Sequence, residues 1–235
     1  MQSEETASLH ILKLVREIQA IKGFENFRLV GGSALALQLK HRVSVDVALF
    51  SEKTIDKSRL FAILPENFKD LSGLIDRGIG VVCNIKNIKV DFFYDGGKFI
   101  RPPVEKQGII MASLEDVTAM KLNAITNRAA QKDFYDIAVL TEKFSVREMI
   151  RFYMEKYPYM DVRGPLEHLK KHDAADNDNN RIQTLIPLTW QQAKEKINNA
   201  HEIFISEMKA EKQKQIEERL KKAGELVEKK KKKKT

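Results

Sequence analysis

Residues 29–51 read LVGGSALALQLKHRVSVDVALFS. A short strand over 27–30 runs into a Gly-Gly-Ser turn at 31–33, a short helix over 34–40 follows, and residues 43–50 form a second strand. Strand side chains repeat every two residues. Val43, Val45, Val47 and Leu49 therefore share one face, and Ser44, Asp46 and Ala48 the other. Gly31 and Gly32 let the backbone approach a phosphate, and the helix N-terminus behind them supplies N–H groups and a favourable dipole. Ser33 adds a hydroxyl donor. Asp46 is a carboxylate among apolar neighbours, which is costly unless it is paired or metal-bound.

Outward from this segment, apolar residues at Leu9, Leu12, Val15, Ile18 and Ile21 predict a helix over about 8–23. A helix over 56–64 is expected to stop at Pro65. Two strands follow at 79–85 and 88–94, joined by a hairpin turn at Asn84–Asn87 and ended by Asp-Gly-Gly at 95–97. In the second, Val90 and Phe92 face one way, and Asp91 and Phe93 the other. From Ser113 onward the pattern is helical: 113–128, 131–143, 145–156, 163–172 and a long helix from about Thr189. Ser113 with Asp116 resembles a capping box with Asp in place of Glu, and Ser145 with Glu148 fits that motif fully. The polar stretch at 173–180 reads as a connector, because it lacks the spacing and terminal glutamate of a calcium-binding loop.

Composition narrows the class. The chain is 43% apolar and 31% charged over 235 residues, enough to bury a sizeable core. No apolar run reaches membrane-spanning length, and the start has no signal-peptide pattern, so a cytoplasmic protein with no membrane association is expected. Cys83 lies in an apolar run and reads as a buried, inert thiol. The net charge of +8 is uneven: residues 208–235 hold 12 basic and 5 acidic residues, which leaves 29 and 28 in the rest. A tail of six lysines attracts polyanions, although charge runs are most often plain solvated surface.

Nucleotidyl transfer needs charge neutralised on phosphate oxygens and an aligned attack, which divalent ions held by strand carboxylates supply. A Gly-Gly-Ser turn alone is most often structural. Here it is followed in order by a helix, a strand Asp and a later strand Asp. The motifs VGGS (30–33), VDVA (45–48) and VDF (90–92) resemble those of the DNA polymerase β-type nucleotidyltransferase superfamily. GGSALALQLKHRVSVD (31–46), EDVTAMKLNAITNRAAQKDFYDIAVL (115–140) and EMIRFYMEKYP (148–158) resemble, more narrowly, the AbiEii/AbiGii nucleotidyltransferase toxins of toxin–antitoxin and abortive-infection systems.

The resemblance implies an α+β fold: a small mixed-sheet nucleotidyltransferase domain with flanking helices over 1–110, then an α-helical domain over 111–207. A basic helical tail over 208–235 completes the chain. It implies Mg²⁺ as cofactor, a nucleoside triphosphate as donor, the tRNA 3′ end or a protein as acceptor and a cognate antitoxin as partner. Asp46 and Asp91 would ligate metal, with Asp91 placed to accept the attacking hydroxyl's proton. Gly31, Gly32 and Ser33 would hold the triphosphate, and Ser44 would face the site. Lys121 would face the phosphates, Asp133 would be a site carboxylate with Asp136 on its helical face, and Arg128 would pair with them or with phosphate. Read without the family, Lys121 is an ordinary exposed lysine of an amphipathic helix, and Asp133 and Asp136 form helix-surface ion pairs with Lys132 or Arg128. His41 and Arg42 would touch phosphate or acceptor, or form a surface pair. The family's second strand carboxylate is missing: Ala48 stands there in an otherwise full set. This reads as deliberate removal of a catalytic carboxylate, with natural decay to a pseudoenzyme as the rival, and either implies an enzyme with little turnover.

Overall fold

The computed structural model describes residues 2–94, 96–178 and 182–232. Asp95 of the Asp-Gly-Gly turn, the end of the polar connector at 179–180 and the last residues of the tail, 233–235, lie outside them. Helix α1 (Gln2–Gln19) leads into β1 (Phe27–Val30), α2 (Gly31–Leu39), β2 (Val47–Ser51) and α3 (Lys57–Asn67). Strands β3 (Leu71–Asp76), β4 (Gly80–Ile85), β5 (Ile88–Tyr94), β6 (Val104–Lys106) and β7 (Ile109–Met111) follow. Helices α4 (Leu114–Asn127), α5 (Gln131–Leu140), α6 (Val146–Lys156), α7 (Arg163–His168) and α8 (Trp190–Lys232) complete the chain, with a 3₁₀ turn at His172–Ala175.

Seven strands form one mixed sheet in the order β3-β4-β5-β2-β1-β7-β6. Antiparallel β1–β2 and parallel β2–β5 pairing puts the two strands that carry the site side by side at the centre. Their alternation is plain. Val47, Leu49, Val90 and Phe92 are buried on the core face, where Phe92 meets Phe24 and Phe27 edge-on at ring-centroid distances of 5.7 and 5.4 Å. The opposite face carries Ala48, Phe50, Asp91 and Phe93. Lys86 and Asn87 both take positive φ (52° and 62°), the conformation of a tight two-residue hairpin, so the turn expected at 84–87 is present.

Four expectations need correction. The strand predicted over 43–50 begins only at Val47: Arg42 bridges to Thr184 instead, the 43–46 segment is irregular, and Val45 is 60% exposed. Helix α2 starts at Gly31, so the glycines are its first turn and not a loop before it. Pro65 does not stop α3, which continues to Asn67 because the proline falls in its last turn. Helix α1 begins earlier and ends at Gln19, short of the predicted 23.

The helical half follows its caps. Ser145 accepts the Glu148 N–H while Glu148 returns to the Ser145 backbone, the full capping box. Ser113 also accepts the Asp116 N–H, but the Asp116 carboxylate accepts from the Ser113 hydroxyl and from the backbone N–H groups of Ile100 and Arg101, not from the Ser113 N–H. The shorter side chain builds half a box and clamps the loop before β6. Ser145→Ala is expected to lower unfolding free energy by about 1 kcal/mol in denaturant titrations, the usual worth of such a cap. Ala130 gives α5 no side-chain cap, and Asp178 accepts the Gln131 N–H at 2.9 Å in its stead, which ties the polar connector to the helix. Helix α8 buries Ala193, Ile197 and Phe204 against the body, and Trp190 packs on Tyr135 at 5.5 Å. No helix of the described residues is long and apolar enough to cross a membrane.

Candidate active site

The outward face of β2 and β5 forms the floor of a cleft of about 410 Å³. Gly31 and Gly32 of α2, Ser44 and Asp46 of the irregular segment, Ala48 and Asp91 line it, with Lys121 and Arg128 of α4 opposite. Ala48 stands directly across from Asp91 in the parallel register, and Asp46 is two residues before Ala48. The irregular segment thus still aims Ser44 and Asp46 into the cleft.

Both glycines are required locally. Gly31 has φ +66°, and a Cβ on Gly32 would lie 2.2 Å from an Arg42 guanidinium nitrogen. Arg42 cannot yield, because its guanidinium is bound to Asp136. Ser33 is buried and not on the cleft wall. Its hydroxyl donates to the Asp46 carbonyl and accepts from the Ser44 hydroxyl (2.9 Å), which fixes the segment bearing Asp46.

Behind the cleft lies a buried ion network. Asp133 and Asp136, one helical turn apart on α5, are both 0% exposed. Lys121 Nζ lies 2.6 Å from a carboxylate oxygen of each. Arg128 donates to both Asp133 oxygens at 2.7 and 3.2 Å. Arg42 donates to both Asp136 oxygens at 2.7 and 2.8 Å, and the His41 Nε2 lies 2.6 Å from one of them. The surface reading of these residues therefore fails: all but Arg128 are buried, and His41 and Arg42 engage Asp136 and not a surface partner. Three permanent cations against two carboxylates leave this wall of the cleft net positive.

Burial alone raises the pKa of Asp136, but the Lys121 charge and hydrogen bonds from Arg42 and His41 outweigh it and hold the group well below the ordinary carboxylate range. Asp133 is lowered likewise, burial being overcome by Lys121 and Arg128. A carboxylate whose folded pKa is depressed stabilises the fold above its unfolded pKa, and that contribution is lost as pH falls through the folded value. The melting temperature is therefore expected to hold from neutrality down to roughly pH 4 and to fall steeply below it. A thermal-shift series against pH reads this, and a flat profile to pH 2 would contradict it.

The carboxylates of the cleft floor suit a divalent ion. Asp91 Oδ1 is buried without a hydrogen-bond partner, and Asp46 reaches the same cleft. Two carboxylates plus substrate phosphates suffice for one Mg²⁺. No group of three or more His, Cys, Asp or Glu that could hold a metal occurs among the described residues. The residues fit one ion shared with phosphates, and Ala48 is why they do not fit a preformed pair. Sequence reasoning missed two lysines here: Lys89 Nζ is 2.7 Å from Asp91 Oδ2, and Lys132 Nζ is 3.3 Å from Asp46 Oδ2. The strand alternation that puts Lys89 on the face of Asp91 was the available signal. Cys83 is buried on β4, and burial first, then the Asp91 charge, pushes its thiol up to about 12, so it is inert.

Known proteins resemble this chain in sequence and in fold. The chain is 28% identical over 142 residues to an uncharacterized protein of Aquifex aeolicus, covering 58% of this chain and 68% of that one. Its fold is similar to that of MenT4, a nucleotidyltransferase toxin of Mycobacterium tuberculosis, with a TM-score of 0.54 and 13% identity over 83% of this chain and 82% of MenT4. A family model described as the nucleotidyl transferase AbiEii toxin of type IV toxin–antitoxin systems matches residues 86–222, which include Asp91, Lys121, Arg128 and Asp133. That match takes in more than half of the chain, which belongs to the AbiEii nucleotidyl transferase toxin family.

Proposed function

We propose that the cleft transfers a nucleoside monophosphate from a nucleoside triphosphate to an acceptor hydroxyl, breaking the α–β phosphoanhydride bond and releasing pyrophosphate, with the tRNA 3′ end as acceptor. The observation that carries this is the Asp46–Ala48–Asp91 floor set between a glycine-led helix N-terminus and the positive Lys121–Arg128 wall. The N–H groups at the start of α2 and the positive wall bind the triphosphate and turn its α-phosphate toward the floor. Asp91, whose Oδ1 has no partner, accepts the acceptor's proton. Asp133 and Asp136 touch no substrate; they hold Lys121, Arg128 and Arg42 in place. Asp46 and Asp91 would hold Mg²⁺, which supplies Lewis-acid polarisation of the phosphate when bound.

Ala48 supports a slow enzyme, since a ligand that bridges metals in the family pattern is gone. The same residue favours the second reading, a nucleotide- or RNA-binding protein without chemistry. As a toxin in a cytoplasmic toxin–antitoxin pair, with a role in abortive infection, the chain would be restrained by a cognate antitoxin. The test is to incubate it with Mg²⁺, each α-labelled nucleoside triphosphate and bulk tRNA. Label is expected on tRNA with one preferred nucleotide and none with Asp91→Asn. Triphosphate and RNA binding with no label in any combination would support the second reading instead.

A further inference from the structure

The two lysines at the floor of the cleft bear on what Ala48 changes. Lys89 precedes Asp91 by two residues and shares its face, and it lines the same cleft as Asp46 and Asp91. Its ammonium binds Asp91 Oδ2 at 2.7 Å, and its side chain is 54% exposed. Lys132 serves Asp46 more loosely, at 3.3 Å. Charge decides the consequence. Two divalent ions on three carboxylates present one net positive charge to the phosphates. One divalent ion on the two carboxylates present here leaves none, and one ammonium restores it.

We propose that Lys89 stands in for a second metal ion. With alanine at 48 the cleft takes one divalent ion, and the Lys89 ammonium is the second positive charge on the bound triphosphate. This rests on the nucleotidyltransferase reading and names how that site is charged. Two consequences follow. Without nucleotide, Lys89 and a metal ion compete for Asp91; with nucleotide, the ammonium passes from Asp91 to a phosphate oxygen. Lys89 is then a substrate-binding residue.

Manganese titrations followed by electron paramagnetic resonance test this, first with Mn²⁺ alone and then with a triphosphate carrying a non-hydrolysable α–β linkage. The proteins are the unaltered chain, Lys89→Met, and Ala48→Asp/Lys89→Met. Circular dichroism confirms folding, which a half-exposed lysine does not control. The unaltered chain should bind one Mn²⁺ with the triphosphate. Lys89→Met should tighten Mn²⁺ alone about three- to tenfold, the scale of a partly exposed ion pair. It should weaken the triphosphate by a similar factor at saturating metal. The double variant should take up two Mn²⁺, seen as spin coupling. Two Mn²⁺ in the unaltered chain, or Mn²⁺ affinity unchanged or weaker in Lys89→Met, would overturn the proposal. Failure of the transferase reading looks different: no form then binds the triphosphate, whatever Mn²⁺ does alone.

Discussion

Ala48→Asp is expected to raise the rate of nucleotide transfer about a hundredfold, or roughly 3 kcal/mol of transition-state stabilisation. The position is ready for it. Ala48 lies opposite Asp91 in the register, on the cleft face and two residues from Asp46, so an added carboxylate enters open space and no core atom moves. Initial rates of label transfer at saturating Mg²⁺ and triphosphate check this. Three carboxylates on one patch repel, so the same variant should lose stability without metal and regain it when Mg²⁺ is added. A rate unchanged within twofold would mean that the alanine is not what limits this enzyme.

Asp136→Asn is expected to cost about 3–5 kcal/mol of unfolding free energy, the scale of breaking a buried ion network on one side. Asp136 is fully buried and accepts from Arg42, His41 and Lys121 at 2.6–2.8 Å. An amide keeps one acceptor oxygen and turns an NH₂ toward cations. The loss reaches the cleft as well, since Arg42 packs under Gly32 and would be free to press on the first turn of α2. Denaturant unfolding reads the stability, and triphosphate affinity should fall with it. Arg128→Ala provides the contrast. That side chain is 57% exposed, and its loss should cost about 1 kcal/mol, because Lys121 still serves Asp133.

Much of this site is legible in sequence because its floor is local and periodic. The alternation at 47–50 and 90–93 separates core from cleft by residue parity, and the hairpin at Lys86–Asn87 sets the pairing of β4 with β5. The helical half reads well because Ser113 and Ser145 mark its starts. What escapes is settled by partners far along the chain. Residues 43–46 alternate like a strand, yet Arg42 is drawn to Asp136, 94 residues away, and bridges to Thr184, so the strand starts late. Strand β3 was not foreseen: it is a sheet edge with mostly exposed side chains, and so has no buried face to announce it. The burial of Asp133 and Asp136 could not be read from α5 alone, because the cations that compensate them come from the 41–42 segment and from α4. Lys132 is one residue from Asp133 and serves Asp46 instead, a pairing that only the packing of α5 against the cleft creates.

Nucleotidyl transfer on the β2–β5 floor of this cleft, as proposed, is checked by label transfer from α-labelled triphosphate to tRNA by Ala48→Asp, beside the same variant carrying Asp91→Asn. Strong labelling is expected from the first and none above background from the second, with both folded. Equal labelling by the two, or none by either with any of the four nucleotides, would contradict it.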